Sequence, residues 1–250
     1  MKTEIYTNND TSSLNLSVAA SEQRTVIFAQ ETGVSLQAEI ETDAQLDIFL
    51  FNFGGSNIAA TTNNINVNLV SKNARTNIYG LYLIDKYQKI HNEIEVHHNS
   101  PNTYSNQLFK GILDDSAQGK FYGHIFVEKN AQKIEAKQNN RNILISPKAK
   151  FETKPFLEIY ADDVKCSHGA TTGQLDGQAL FYMRQRGLSF NAARSLMMAA
   201  FASEITAHIT SAQTRKKIEE LIVARLGGGI VGGGSAVCGE PPCEYKCYNC

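Results

Sequence analysis

The densest group of chemically reactive side chains lies in the segment 162–173, DDVKCSHGATTG. Cys166 and His168 are two residues apart there, and Asp162 and Asp163 precede them. A thiolate and an imidazole are ligands that suit transition metals. If the segment is an extended strand, residues i and i+2 share a face, so Cys166 and His168 would point together. A closed structural zinc site usually has four ligands, so the pair predicts an open or shared site that another chain completes.

Two other interpretations of this segment stay open. In the first, Cys166 is a buried thiol and His168 is a hydrogen-bonded histidine in a turn. In the second, Cys166 attacks a substrate with His168 as its base. Nucleophilic catalysis also needs an orienting third group and an oxyanion hole, and no motif in the sequence supplies them.

The other histidines are predicted to be structural. His91, His97 and His98 lie around one predicted strand. His97 and His98 are adjacent, so they face opposite sides of that strand and cannot share a metal ion without a turn. His124 in FYGHIF and His208 on an apolar-faced helix are predicted to be satisfied by their surroundings.

Four of the five cysteines crowd the last thirteen residues: Cys238, Cys243, Cys247 and Cys250. They follow the glycine-rich stretch 227–237, which is typical of a flexible tether and lacks the Lys-Ser/Thr of a phosphate loop. Four thiolates are enough for a zinc ion or an iron–sulfur cluster, but the spacing matches neither common iron–sulfur pattern. An unstructured cysteine-rich end, a labile metal or cluster site and a modified-peptide precursor all remain open.

Short strands must position these residues. Many of the predicted strands alternate apolar and polar residues, as a half-buried strand does. They cover 34–40, 46–53, 65–70, 76–84, 92–98, 107–113, 120–127, 133–138 and 156–160. Such a series fits a sandwich, a barrel or a β-helix solenoid. Asn-Gly and Asp-Gly hairpin dipeptides are absent between residues 24 and 165, and asparagines are frequent at the predicted corners, which favours the solenoid.

The period becomes helical after residue 175. Asp176 is predicted to cap a helix that runs to Arg186 and stops at Gly187, and Ser189 is predicted to cap a second helix. The apolar face of the second helix is predicted from the i+4 repeat of Ala193, Met197, Phe201 and Ile205, flanked by Leu196 and Ala200. A third helix is predicted over 213–226. The organisation is therefore a lead-in at 1–23, a β-helix core at 24–173, a helical domain at 174–226 and a linker with a cysteine-rich tail at 227–250.

Composition limits the class of protein. The 250 residues carry 24 Lys and Arg against 25 Asp and Glu, a net charge of −1, which argues against nucleic-acid binding. No apolar run is long enough to span a membrane, and the N-terminus is not a secretory signal. Only Cys166 lies in the body of the chain, so no disulfide framework is expected. We expect a soluble, cytoplasmic protein.

Two long stretches carry a resemblance to a known family. HHNSPNTYSNQLFKGILDDSAQGKFYGHIFVEKNAQKIEAKQNNRNILISPKAK covers 97–150, and a second stretch over 154–205 contains DDVKCSHGATTG and LFYMRQRG. Both resemble the SufB/SufD family of iron–sulfur cluster assembly proteins, and within it the SufD branch. The resemblance implies a right-handed parallel β-helix followed by a helical domain. Family members usually begin with a helical N-terminal domain, which is not recognisable in the first 25 residues.

The resemblance also implies partners and a site. SufD-like chains pair with SufB through the β-helix and bind the ATPase SufC through the C-terminal helices. A transient iron–sulfur cluster, built from sulfur and iron, forms at the SufB–SufD interface, and the SufD histidine there matches His168, with Cys166 beside it. SufB-like chains have an acidic residue after this histidine, whereas Gly169 stands here. The chain is accordingly expected to be a non-enzymatic scaffold subunit.

Three alternatives remain at this point. The chain could be a stand-alone metal or cluster carrier that uses its cysteine-rich tail. It could be a carbohydrate-active enzyme, although adjacent Asp162 and Asp163 would face opposite sides of a strand. The assembly could also be a homodimer formed through the β-helix.

Overall fold

A computed structural model describes residues 2–7, 13–55 and 59–228. Within these ranges the chain forms thirteen strands and then three helices. The strands are β1 Lys2–Thr7, β2 Ser13–Val18, β3 Gln23–Ala29, β4 Ser35–Ile40, β5 Gln45–Asn52, β6 Ala60–Leu69, β7 Arg75–Ile84, β8 Lys89–His98, β9 Tyr104–Leu113, β10 Gln118–Val127, β11 Ile134–Leu144, β12 Lys150–Ile159 and β13 Val164–Gly173. The helices are α1 Gly177–Gln185, α2 Phe190–Thr206 and α3 Ala212–Gly228. None of these described helices has the length and apolar character to cross a membrane.

Successive strands alternate between two sheets. The odd-numbered strands form a seven-stranded sheet in the order β1-β3-β5-β7-β9-β11-β13, which we call the odd sheet. The even-numbered strands form a six-stranded sheet, the even sheet, which runs from β2 to β12. The described strand pairs are all parallel. Each turn of the chain therefore adds one strand to each sheet, which confirms the predicted parallel β-solenoid.

One corner of the solenoid is a column of residues in the left-handed backbone region. Five residues have φ between 57 and 62°: Ser21, Asp43, Asn73, Asn102 and Lys133. The backbone N–H of Asp43 donates to the Lys72 carbonyl in the next turn at 3.1 Å, and that of Lys133 donates to the Asp163 carbonyl at 2.7 Å. Asparagine and aspartate tolerate this conformation because their side chains bond locally, so the predicted corner role of asparagine is confirmed at Asn73 and Asn102.

Apolar side chains fill two regions of the fold. Between the sheets, Val26, Leu46, Val67 and Ile78 belong to one buried cluster. A second cluster lies on the outer side of the odd sheet, where α2 and α3 pack against it. Its members include Tyr79, Leu81 and Ile112 from the sheet, Met198 and Ile205 from α2 and Ile222 from α3. Helices α2 and α3 thus share a core with the solenoid.

The predicted caps of the first two helices are confirmed, and the third helix runs over Ala212–Gly228 instead of 213–226. The Asp176 carboxylate accepts from the Gln178 backbone N–H at 2.8 Å, and the Ser189 hydroxyl accepts from that of Ala192 at 3.2 Å. Gly187 ends the first helix with φ of +90°, a conformation that glycine adopts readily.

The predicted apolar face of α2 is partly wrong. The structure buries Met198 and Ala202 instead of Met197 and Phe201, and Leu196 is 52% exposed. A helix repeats every 3.6 residues, so a strict i+4 series drifts around its axis. The odd sheet and α3 together select which side of the helix is buried.

Strands also extend beyond the predicted ones. β1 and β2 lie before residue 24, where no strand was predicted. Leu14, Leu16 and Val18 in β2 do alternate with polar residues, but both strands are only six residues long. β12 begins at Lys150 rather than at 156 and contains Pro155. Proline lacks the N–H that a central strand needs, and β12 is an edge strand, where proline is tolerated.

Candidate functional site

The Cys166–His168 pair lies on β13, the last strand of the odd sheet. β13 pairs with β11 alone, in a register that places Cys166 beside Ala136 and His168 beside Gln138. Ala136 and Gln138 are fully buried in the solenoid interior. Since neighbouring residues in a parallel register share a face, Cys166 and His168 both lie on the inward side. The predicted extended segment with the two residues on one face is therefore confirmed.

The end of the solenoid at β13 leaves this inward side open. Cys166 is partly buried, and His168 is exposed. Ala170 and Thr172 are the next residues on the inward side of β13. They are also exposed, because no further turn is stacked on β13 within the described residues. Cys166 and His168 thus stand where the interior of the fold meets solvent.

Cys166 packs against a small apolar cluster in the last turns. That cluster contains Ile125, Val127 and Ile134. Burial raises the pKa of the Cys166 thiol, and a backbone hydrogen bond with Ala136 offsets part of the rise. A thiol in such a site is mostly protonated at neutral pH and is a weak nucleophile, so the geometry gives no support to nucleophilic catalysis. A metal ion that displaces the proton would turn the thiol into a ligand.

This part of the chain supplies an incomplete metal site. No group of three or more His, Cys, Asp or Glu side chains within the described residues is arranged to hold a metal ion. Asp162 and Asp163 are exposed before β13, and the Asp163 N–H donates to the Gln132 side chain at 2.9 Å. The predicted tail ligands Cys238, Cys243, Cys247 and Cys250 lie outside the described residues.

The edges of both sheets are free at this end. Within the described residues, β12 pairs with β10 alone and β13 with β11 alone. Each strand therefore leaves a row of backbone N–H and C=O groups without a strand partner, and such rows are templates for pairing with another chain. Phe156 on β12 and Tyr160, directly after the end of β12, are 50% and 58% exposed. The open end consequently combines the Cys166–His168 pair with strand edges that have no strand partner within the described residues.

The other histidines have structural surroundings. His98 is buried, with Nδ1 2.8 Å from the Thr103 hydroxyl and Nε2 2.9 Å from the Ser105 hydroxyl. His97 faces the opposite side of the strand, as predicted, with Nε2 3.6 Å from a Glu95 carboxylate oxygen.

His124 and His208 each pack on an aromatic ring. The His124 ring lies 5.2 Å from that of Phe156, between centroids. His208 stacks on Tyr79 at 4.3 Å, although it follows the end of α2 instead of lying on it.

Sequence patterns missed a polar column beside the site. Gln107 and Gln138 are buried in the interior and neighbour each other in register, and Gln138 is next to His168. Buried amides in a strand depart from the apolar pattern that marks a core. The alternation of β11, with Ala136 and Gln138 two residues apart, was the one signal that could have placed Gln138 inside.

Helix α1 presents a second feature that the patterns did not reveal. None of its residues is buried. Phe181 and Tyr182 on α1 are 62% and 59% exposed, and Phe190 at the start of α2 is 47% exposed. Phe181 and Phe190 line one groove together with Leu144 at the end of β11, so these aromatic side chains are exposed beside the end of that strand.

The fold is a parallel β-solenoid that carries helices on one sheet, and its last turn presents Cys166 and His168 at an open end. A family model described as "SUF system FeS cluster assembly, SufBD core domain" matches residues 3–201. The chain belongs to this SufBD core family of the SUF system. The resemblance found in the sequence is thereby confirmed.

Relatives in bacteria and in a parasite carry the same description. The chain is 36% identical over 175 residues to the iron–sulfur cluster assembly protein SufD of Escherichia coli, which covers 70% of the chain and 40% of that protein. It is 44% identical over 135 residues to a SufBD family protein of Synechocystis, covering 54% of the chain and 29% of that protein. It is 31% identical over 153 residues to SufD of Plasmodium falciparum, covering 61% of the chain and 10% of that protein. The chain spans less than half of the length of each.

Proposed function

We propose that this chain is a SufD-like, non-enzymatic subunit of an iron–sulfur cluster assembly complex that pairs with SufB and binds the ATPase SufC. The observation that carries the proposal is the pair of ligands, Cys166 and His168, at the open end of the solenoid. Two ligands hold iron weakly, but a site completed by a second chain can hold a nascent cluster. The relatives named SufD support the same assignment.

The free edges of β12 and β13 are the proposed surface for SufB. A partner solenoid that meets this end would extend both sheets by backbone hydrogen bonds, and it would place its own ligands opposite His168. Exposed Phe156 and Tyr160 would become buried in the same contact. A second copy of this chain would use the same surface if the complex is a homodimer.

The exposed aromatic side chains Phe181, Tyr182 and Phe190 are the proposed surface for SufC. Aromatic residues are enriched in the cores of protein interfaces, and α1 buries none of its residues in this chain. ATP-driven movement of SufC would then act on α1 and the start of α2.

The roles of the two ligands differ. His168 is exposed and offers a ring nitrogen to iron, whereas Cys166 is half-buried and protonated until a metal replaces the proton. Gly169 follows His168 where SufB-like chains have an acidic residue, so SufB is expected to accept the sulfur. The cluster is cargo that this chain helps to build and then releases.

The experiment is a comparison of variants in the complex with SufB and SufC from the same genome, purified without oxygen. We expect His168→Ala to fold and to bind both partners but to lose most of the iron and acid-labile sulfide. His91→Ala is the matched control, since His91 lies on the outer side of β8. Wild-type iron content in the His168→Ala complex would end the ligand assignment.

A stand-alone metal or cluster carrier is the second candidate, because four cysteines lie within thirteen residues. Replacing these four cysteines with serine separates the candidates. A carrier loses its metal in that variant, whereas an assembly subunit keeps its partners and its cluster.

A further inference from the structure

A column of side chains inside the odd sheet ends at His168. In register it runs from Ile78 on β7 through Gln107 on β9 and Gln138 on β11 to His168 on β13. The column is apolar at Ile78 and polar in the last three strands. Neighbouring strands lie about 4.8 Å apart, so consecutive side chains of the column are neighbours in space.

The two glutamines are fully buried and bonded to each other. Gln138 Nε2 donates to Gln107 Oε1 at 3.1 Å, and both side chains are 0% exposed. Gln138 Oε1 has no hydrogen-bond partner within the described residues. Among the same residues, Gln107 Nε2 lacks a partner as well. A buried polar atom without a partner costs about 1–3 kcal/mol, so a donor that reaches Gln138 Oε1 would be stabilising.

Packing fixes the position of this amide. A Cβ atom at Gly123, on the opposite sheet, would lie 1.9 Å from Gln138 Nε2. Gly123 therefore provides the space that the amide occupies. Because Nε2 is held between Gly123 and Gln107, the side chain cannot rotate freely to find another partner for Oε1. The other polar neighbour in the column is His168.

We propose that Gln138 is a positioning residue for His168: a rotation of the exposed His168 side chain brings its imidazole N–H to the buried Oε1 of Gln138, which has no partner among the described residues. A histidine that binds a metal usually donates its second ring nitrogen to a carbonyl or carboxylate, which fixes the tautomer and the ring orientation. Gln138 supplies that acceptor and leaves the other nitrogen of His168 directed to the open end. The inference rests on the proposed role of His168 as a ligand.

The test measures the tautomer of His168 by ¹⁵N NMR of the imidazole nitrogens in the full chain without metal, with His168→Ala to assign the signals. We expect one dominant tautomer in the wild type and a mixture in Gln138→Met, which keeps the volume but loses the acceptor. Gln107→Met is the matched control. It breaks the same glutamine–glutamine hydrogen bond at an equally buried position and leaves Oε1 of Gln138 in place, so the wild-type tautomer is expected.

A mixture in the wild type, or equal changes in Gln138→Met and Gln107→Met, would overturn the proposal. If Gln138→Met does not fold, Gln138→Glu retains an acceptor oxygen and must show the wild-type tautomer. In the complex with SufB and SufC, Gln138→Met is expected to lower the affinity for added Fe²⁺ by about 10–100-fold. The two hypotheses can fail separately. If the His168→Ala complex still contains a normal cluster, the proposed function is refuted; a single His168 tautomer in the wild type would nevertheless establish the hydrogen bond to Gln138.

Discussion

Lowering the pH is expected to destabilise the fold through His98. The side chain is 0% exposed, and the Thr103 and Ser105 hydroxyls contact its two ring nitrogens at 2.8 and 2.9 Å. Burial, with a smaller contribution from His97, lowers the pKa of His98 from 6.5 to about 3. Between these two values the unfolded chain binds a proton that the folded chain does not.

The magnitude follows from proton linkage. The contribution of neutral His98 to the free energy of unfolding is complete above the unfolded-state pKa of about 6.5. Below that pH the free energy of unfolding decreases as the pH falls, by up to about 1.4 kcal/mol per pH unit. Integration from pH 7.5 to pH 5 gives a loss of about 2 kcal/mol. Ion pairs with Lys2 and Arg24 lower the pKa of Glu4 to about 2, and the stability that Glu4 contributes is lost only below its unfolded pKa of 4.5. The interval above pH 5 therefore isolates His98.

The assay is urea unfolding of the full chain at pH 7.5, 6 and 5. His98→Gln does not titrate, so the difference in unfolding free energy between the wild type and this variant is expected to shrink by about 2 kcal/mol from pH 7.5 to pH 5. His91→Gln, on the same strand, controls for the loss of a histidine. A difference between wild type and His98→Gln that stays constant with pH would refute the reasoning, because it would mean that His98 accepts a proton equally well in both states.

Three further substitutions test the packing of the fold, each by urea unfolding. Tyr82→Phe removes a hydroxyl that accepts from Asn140 Nδ2 at 3.0 Å and donates to Asn142, so a loss of about 1–3 kcal/mol is expected, and no loss would show that the buried amides re-pair. Gly33→Ala places a Cβ 1.9 Å from the Thr62 carbonyl oxygen. Because backbone must move to relieve this contact, we expect the free energy of unfolding to fall by about 1–3 kcal/mol, and unchanged stability would contradict the close packing. Glu204→Gln removes the carboxylate that pairs with Lys110; the Lys110 side chain is only 3% exposed, whereas that of Glu204 is 43% exposed and is screened by water. We therefore expect a loss of about 1 kcal/mol in the free energy of unfolding. A loss above about 3 kcal/mol would mean that the pair behaves as fully buried.

Alternation and capping residues predicted much of this fold. Ile65, Val67 and Leu69 alternate with polar residues and line the interior of β6, because one face of that strand is dry and the other is wet. Asp176 and Ser189 marked helix starts, since their side chains bond backbone N–H groups two or three residues ahead. Local chemistry of this kind is visible in a single sequence.

The sequence pattern did not predict which face of α2 is buried or which side chains line the interior of the last turns of the solenoid. Burial of Met198 instead of Met197 depends on the odd sheet and α3 together, which lie far away in sequence. The inward side chains of β11 include Gln138, Asn140 and Asn142, and an apolar pattern cannot identify them. Asn140 and Asn142 bond Tyr82, about 60 residues earlier, and such distant partners are what makes buried polar residues affordable.

The most direct test of the central claim is the iron and acid-labile sulfide content of the chain co-expressed with SufB and SufC and purified without oxygen, with and without residues 229–250. We expect a stable three-component complex whose cluster persists without residues 229–250 and depends on His168. Absence of SufC binding, together with loss of all metal when residues 229–250 are removed, would contradict it and would identify the chain as a metal carrier.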